Sequence, residues 1–241
     1  MVTTLPCSLK SYNLQPGISY IGKLLHLADP TLPIGAYAHS NGVETYVQNG
    51  HIHNATTALQ YVQDYLQYNV AYNDAAFVKL GYEAENIETL LQHDTFVSAL
   101  KAAMEPRAAS NKLAMRTIKI FNKLYDYPIM QAYEKAIVQQ QASGHYTLTF
   151  GAYARAMDIP LYETLYAFYY NTLVSTVTNC VKLIPIGQLE GQHIIHNCTT
   201  LLADCIYTTI HLDNKLIGMC NTAFDIRCMQ HERLYSRLYM S

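Results

Sequence analysis

The sequence has no tryptophan, and only 14% of its 241 residues are charged, against roughly 25% in an average soluble protein. Glycine and proline are scarce too, at 11 and 8 residues. Collagen-like and low-complexity chains need far more of both. Disorder requires low hydrophobicity and high charge, whereas half of this chain is hydrophobic. With 16 basic and 18 acidic residues, it lacks the basic excess of a general nucleic-acid binder. No G-x-x-x-x-G-K-[ST] loop and no G-x-G-x-x-G turn occurs, which argues against nucleotide hydrolysis by this chain. A serine triad at His39-Ser40 has no G-x-S-x-G elbow to support it.

Two further absences bear on location. Residues 1–17 show no basic run leading into an apolar one, so no secretory signal is expected. The six cysteines, Cys7, Cys180, Cys198, Cys205, Cys220 and Cys228, form no C-x-x-C pair. Reduced thiols in a cytoplasmic protein fit both facts. Residues 164–181 carry no charge but include Asn171, Thr172, Ser175, Thr176, Thr178 and Asn179. That is too polar for a bilayer span and suits a buried or interface helix.

What the chain does have is tyrosine, 21 residues. With so few charges, its surface must be built partly from Tyr, Thr, Asn, Gln and His, and such a surface favours partners. The periodicity is helical nearly throughout. Ala55, Leu59, Val62, Leu66 and Val70 recur at three- and four-residue spacing, with Asn54 and Thr57 placed to cap. Leu113, Ile118, Phe121 and Tyr125 make a second stripe. Leu161, Leu165, Phe168, Leu173, Val177 and Val181 follow Pro160, which suits a first helical turn. Ile194, Cys198, Leu201, Cys205 and Ile210 make a fourth. No sustained alternation supports a sheet. The expectation is one all-α domain over residues 18–241, a bundle of about nine or ten helices. An N-terminal extension (residues 1–17) precedes it, and a C-terminal tail closes it.

Several clusters invite chemistry. His193 and His196 share a helical face at i, i+3, but Cys198 lies about 140° and 160° from them around the axis at 100° per residue. Cys198 and Cys205 therefore read as small core residues. The histidine pair alone lacks the further ligands a nickel or zinc site needs. His51 and His53, between Gly50 and a helix start, are equally weak metal candidates, and a solvated loop accounts for them. Tyr162, Tyr166, Tyr169 and Tyr170 mix with the apolar stripe of their helix and serve either core or interface.

One block is not explained by generic helix physics. Residues 24–44 read LLHLADPTLPIGAYAHSNGVE. Pro33 and Gly35 break a helix, and a new one is expected near Ser40. A rigid Leu-Pro-Ile-Gly corner would then expose Glu44 on a fixed surface.

This block resembles the N-terminal signature of the urease accessory protein UreF family. Leu25, Leu27, Ala28, Asp29, Leu32, Pro33, Gly35, Tyr37, Ser40, Gly42 and Glu44 match in order. Asp74 falls where the family has an acid after the third helical segment. Glu105 and Arg107 resemble its Glu-x-Arg element, with Pro106 atypical between them. His145-Tyr146 followed by Gly151, and Lys182 to Gln188 (KLIPIGQ), resemble two further elements. The terminus YSRLYMS, residues 235–241, is similar to a Y-S-R-L-F-R-S tail. Met240 departs from the family's arginine there, while Arg237 remains.

The resemblance implies an all-α fold and a non-catalytic role. Members form homodimers and join a UreG-type GTPase and a UreD/UreH-type protein, and the assembly loads nickel into the urease apoprotein. No tightly bound cofactor is implied, since nickel is handled by the assembly. Carried over, Glu44, Asp74 and Lys182 are expected to face the GTPase, with Gln188 supporting Lys182 by shaping the corner at Gly187. Arg237 and Leu238 are expected to dock on the UreD/UreH-type partner or in the dimer, while Pro33, Gly35, Ser40 and Gly187 are structural. The rivals are an all-α enzyme with a helical pocket holding Cys and acid, and a direct nickel carrier using His193, His196, His51 or His53. No nucleic-acid or membrane partner is expected.

Overall fold

Asn54 starts a helix as its spacing predicts. Its side chain accepts from Thr57 N at 2.9 Å, and Thr57 Oγ1 accepts from Asn54 N at 3.1 Å. Two end groups of the helix are satisfied in one exchange. The computed structural model describes residues 20–36, 39, 40 and 42–240. Tyr37, Ser241 and the proposed extension 1–17 lie outside the described residues.

Among the described residues there are twelve α-helices and no strand. They are α1 (Tyr20–Leu27), α2 (Val43–Gln48), α3 (Ala55–Asp64), α4 (Asp74–Glu83), α5 (Ile87–Leu100) and α6 (Met104–Phe121). Then come α7 (Pro128–Val138), α8 (Tyr146–Ala156), α9 (Leu161–Leu183), α10 (Gln188–Thr199), α11 (Leu202–Ile210) and α12 (Thr222–His231). The all-α expectation holds. The count rises partly because the stripe from Ile194 to Ile210 is two helices. Leu201 N bonds Cys198 O, a three-residue step that ends α10. Thr199 and Thr200 turn their hydroxyls back onto Ile195 O and Asn197 O, competing with the backbone ladder where no Gly or Pro marks a stop. The stripe of α3 instead runs on through a π-helical turn, Tyr65–Val70, that buries Tyr65, Leu66, Asn69 and Val70.

α9 is the longest helix and packs against α2, α3, α4, α8, α10 and α11. Its polar residues do not prevent this, because Thr164, Thr172 and Thr176 each donate to the carbonyl four residues back. α4 and α8 make the most intimate pair. A Cβ on Gly81 would strike Leu148 O, and one on Gly151 would strike Val78 O. Backbone lies on backbone at this crossing, and α4 is buried from Ala75 to Gly81.

The Leu-Pro-Ile-Gly corner joins α1 to α2 as expected, with Leu32 and Ile34 buried. Gly35 has φ +83°, open to glycine. Arg116 of α6 sits against it and donates to Ile34 O at 2.7 Å. The next helix begins at Val43, three residues after Ser40, which is itself buried. Among the described residues, no helix is long and apolar enough to cross a membrane.

Candidate functional site

Glu44 sits in the first turn of α2 and is only 3% exposed. The sequence placed it on an open surface, and the structure corrects this. A buried carboxylate needs donors, and the C-terminal tail supplies them. Leu238 N donates to Oε1 at 2.7 Å, Tyr239 N donates to Oε2 at 3.2 Å, and His231 Nε2 lies 3.1 Å from Oε2. His231 ends α12 and is fully buried. Its other nitrogen, Nδ1, lies 2.7 Å from Glu105 Oε2 in α6. Glu105 Oε1 accepts from Arg237 at 2.7 Å. Gln48 Nε2 adds a bond to Ser236 O at 3.1 Å.

Local geometry explains the convergence. Gly42, at φ +83°, lets α12 approach the start of α2, where a Cβ would stand 3.0 Å from Cys228 Sγ. That closeness brings His231, one turn on, against Glu44. The tail then crosses with Tyr239 turned inward and Tyr235, Leu238 and Met240 turned out to solvent. Lys182, exposed in the last turn of α9, places its ammonium 6.0 Å from the Tyr239 ring centre. Burial, and then the Glu44 charge, push the Tyr239 phenol up.

A family model described as UreF matches residues 52–199. The urease accessory protein UreF of Actinobacillus pleuropneumoniae serotype 5b is 43% identical over 224 residues, covering 92% of this chain and 99% of that protein. The chain belongs to the UreF family. The protein of the same name from Haemophilus influenzae strain PittGG is 42% identical over 95% of this chain and 98% of its own length. That of Paenarthrobacter aurescens is 32% identical over 90% and 96%.

The UreF-like motifs thus converge unevenly. Glu44, Glu105, Arg237, Leu238 and, through Tyr239, Lys182 meet at one place. Asp74 stands elsewhere, at the start of α4, with Oδ1 2.7 Å from Lys101 Nζ. Lys101 ends the α5 segment and also lies 5.7 Å from the Phe77 ring centre. Gln188 is exposed and makes no hydrogen bond to Lys182 among the described residues. Glu190 shapes that corner instead, accepting from Gly187 N at 2.7 Å. Sequence reasoning missed His231. Its only local signal was a histidine at the end of a helix, two residues before Arg233.

The rival sites are weaker. His193 and His196 are exposed on α10. His51 Nε2 faces the Arg227 guanidinium at 3.1 Å, and His53 Nδ1 lies 3.1 Å from Gly50 O. Among the described residues no group of three or more His, Cys, Asp or Glu could hold a metal ion. Cys198 and Cys205 are buried, and burial pushes both thiols up to about 11. A shallow cavity of about 400 Å³ is lined by Asp94, Ser98 and Ser143 among others, with no cysteine. Beside it, His145 Nε2 lies 2.8 Å from Ser98 Oγ. Asp94 does not orient that imidazole. It accepts from Tyr133 OH, Ser143 N and Gly144 N, pinning the loop before α8. The tyrosines divide between roles. Tyr133, Tyr153 and Tyr169 are fully buried, whereas Tyr68, Tyr162, Tyr170, Tyr207 and Tyr235 are exposed.

Proposed function

We propose that this chain is a non-catalytic scaffold in urease maturation, joining a UreG-type GTPase to a UreD/UreH-type protein so that GTP use is coupled to nickel loading of the urease apoprotein. The observation that supports this reading is its 43% identity, over 92% of the chain, to a protein named urease accessory protein UreF. In this reading the chain works in the cytoplasm as a homodimer and holds no cofactor of its own. The outward row of Tyr235, Leu238 and Met240 supplies the apolar contact for the UreD/UreH-type partner or the second copy, since aromatic and Met side chains suit interface centres. Asp74 and Lys182 face the GTPase. Glu44 acts one step back, by holding the tail that makes the contact.

Reconstitution tests this. The chain, its cognate GTPase and its UreD/UreH-type protein, mixed at micromolar concentration, are expected to co-elute as one complex that activates apo-urease with nickel and GTP. Folded partners that elute separately would overturn the reading.

A further inference from the structure

The cluster beneath the tail poses a hydrogen-counting problem. Both ring nitrogens of His231 face carboxylate oxygens, Glu44 at 3.1 Å and Glu105 at 2.7 Å. An ionised carboxylate only accepts, so each contact needs a hydrogen, and a neutral imidazole carries just one. The array is complete when the ring carries two. Charge gives the same answer. Glu44 and Glu105 balance His231 as imidazolium plus Arg237, and removing one proton leaves a net negative charge where the ring is fully buried.

We propose that this array is a proton-dependent latch on the C-terminal tail. With two ring hydrogens, His231 holds Glu44 and Glu105 in place, and these in turn hold Leu238, Tyr239 and Arg237. Loss of either hydrogen opens the latch. If Nε2 is bare, its lone pair faces Glu44, the carboxylate that accepts both tail amides. If Nδ1 is bare, it faces Glu105, which then swings away with Arg237. Each branch frees one anchor of the tail. The released tail exposes Glu44 together with the inner face of Tyr239.

The groups around the ring are accounted for. Glu44 comes from α2, Glu105 from α6, and Arg237 and Tyr239 from the tail. Lys182 of α9 stands over the Tyr239 ring. Asp225, Arg227, Cys228 and Glu232 lie on or just after α12, Arg227 is engaged with Gln230 and His51, and the paired Asp74 and Lys101 act on Cys228 from α4 and the end of α5. His39 lies within the field of Glu105. Burial pushes up both the Cys228 thiol and the Tyr239 phenol, so both stay protonated and uncharged beside the ring. The inference concerns this chain alone and stands whether or not the partner reading does.

Amide hydrogen exchange at Leu238 and Tyr239 of the full chain tests it, corrected for intrinsic exchange and followed against pH. Carbon shifts of the His231 ring in the same samples report its hydrogens. Protection is expected to fall about tenfold or more as the ring loses a hydrogen, the scale of one lost charge-assisted hydrogen bond. Amides of α8 are expected to stay constant. Glu105→Gln supplies an N–H to Nδ1 while its oxygen still accepts from Arg237, so a neutral ring satisfies the array and the profile is expected to flatten. Protection that stays level through the ring's loss of a hydrogen would overturn the latch. So would a singly protonated ring under a fully protected tail, or an unchanged profile in Glu105→Gln. Should that variant fail to fold, the two wild-type signals decide on their own.

Discussion

Gly151 of α8 lies against the carbonyl of Val78 in α4, so close that no side chain fits between the helices. Gly81, a few residues along α4, meets Leu148 O in the same way. The neighbouring backbone cannot yield as a flexible side chain would. Gly151→Ala is therefore expected to destabilise the fold by about 3 kcal/mol, at or above the upper end for overpacked cores. Urea unfolding followed by circular dichroism measures it. A change below about 0.5 kcal/mol, the range of a neutral surface substitution, would show that the helices separate freely.

His145 predicts an acid-side loss of stability. Burial lowers its imidazole from 6.5 to about 4. The unfolded chain therefore binds a proton between these values that the folded chain refuses. Fewer protons on the native state means stability that is full above the unfolded value and falls as pH drops toward the folded one. Over that window the loss is roughly 3 kcal/mol, at about 1.4 kcal/mol per unit. Urea midpoints at pH 7.5 and 5.0 are expected to differ in that direction, and His145→Gln is expected to reduce the difference. His39 and His93, also lowered by burial, keep it from vanishing. Equal midpoints in the parent protein would refute the burial argument.

Asp74 and Lys101 form a partly buried pair, with side chains 24% and 16% exposed. Such a pair lies between surface bridges and buried ones. Asp74→Asn is expected to destabilise by about 1–2 kcal/mol, read as a lower melting temperature. The same variant separates structure from recognition. If melting is unchanged while GTPase association weakens, Asp74 faces the partner. If melting falls and association at a permissive temperature is kept, its role is the tie between α4 and α5.

The α3 and α9 segments were legible because caps and periodicity are local properties. Asn54 with Thr57, and Pro160 before Leu161, announce themselves within one turn. The break between α10 and α11 was not, since threonine hydroxyls rather than Gly or Pro end the first helix. Glu44 was misplaced for a different reason. A lone charge in a charge-poor sequence reads as surface, and its partners lie 187 to 195 residues away. Spacing carries no information over such a distance. The tail motif showed which residues belong together, but not that they close over Glu44. Gly81 escaped for the same reason, because its meaning depends on α8.

Tyr239 offers the most direct probe of the docked tail. It is 7% exposed, and its hydroxyl has no partner among the described residues. A buried hydroxyl left unpaired costs about 1–3 kcal/mol. Tyr239→Phe removes the orphan and keeps the ring under Lys182. Tail protection is expected to rise, by roughly fivefold for each 1 kcal/mol recovered, as measured by amide exchange at Leu238 or by the rate of carboxypeptidase trimming. The face-on contact with Lys182 is lost in Tyr239→Leu, which is expected to loosen the tail instead. If phenylalanine loosens it as leucine does, the hydroxyl is bonded in the working protein and the inward face of the tail is polar.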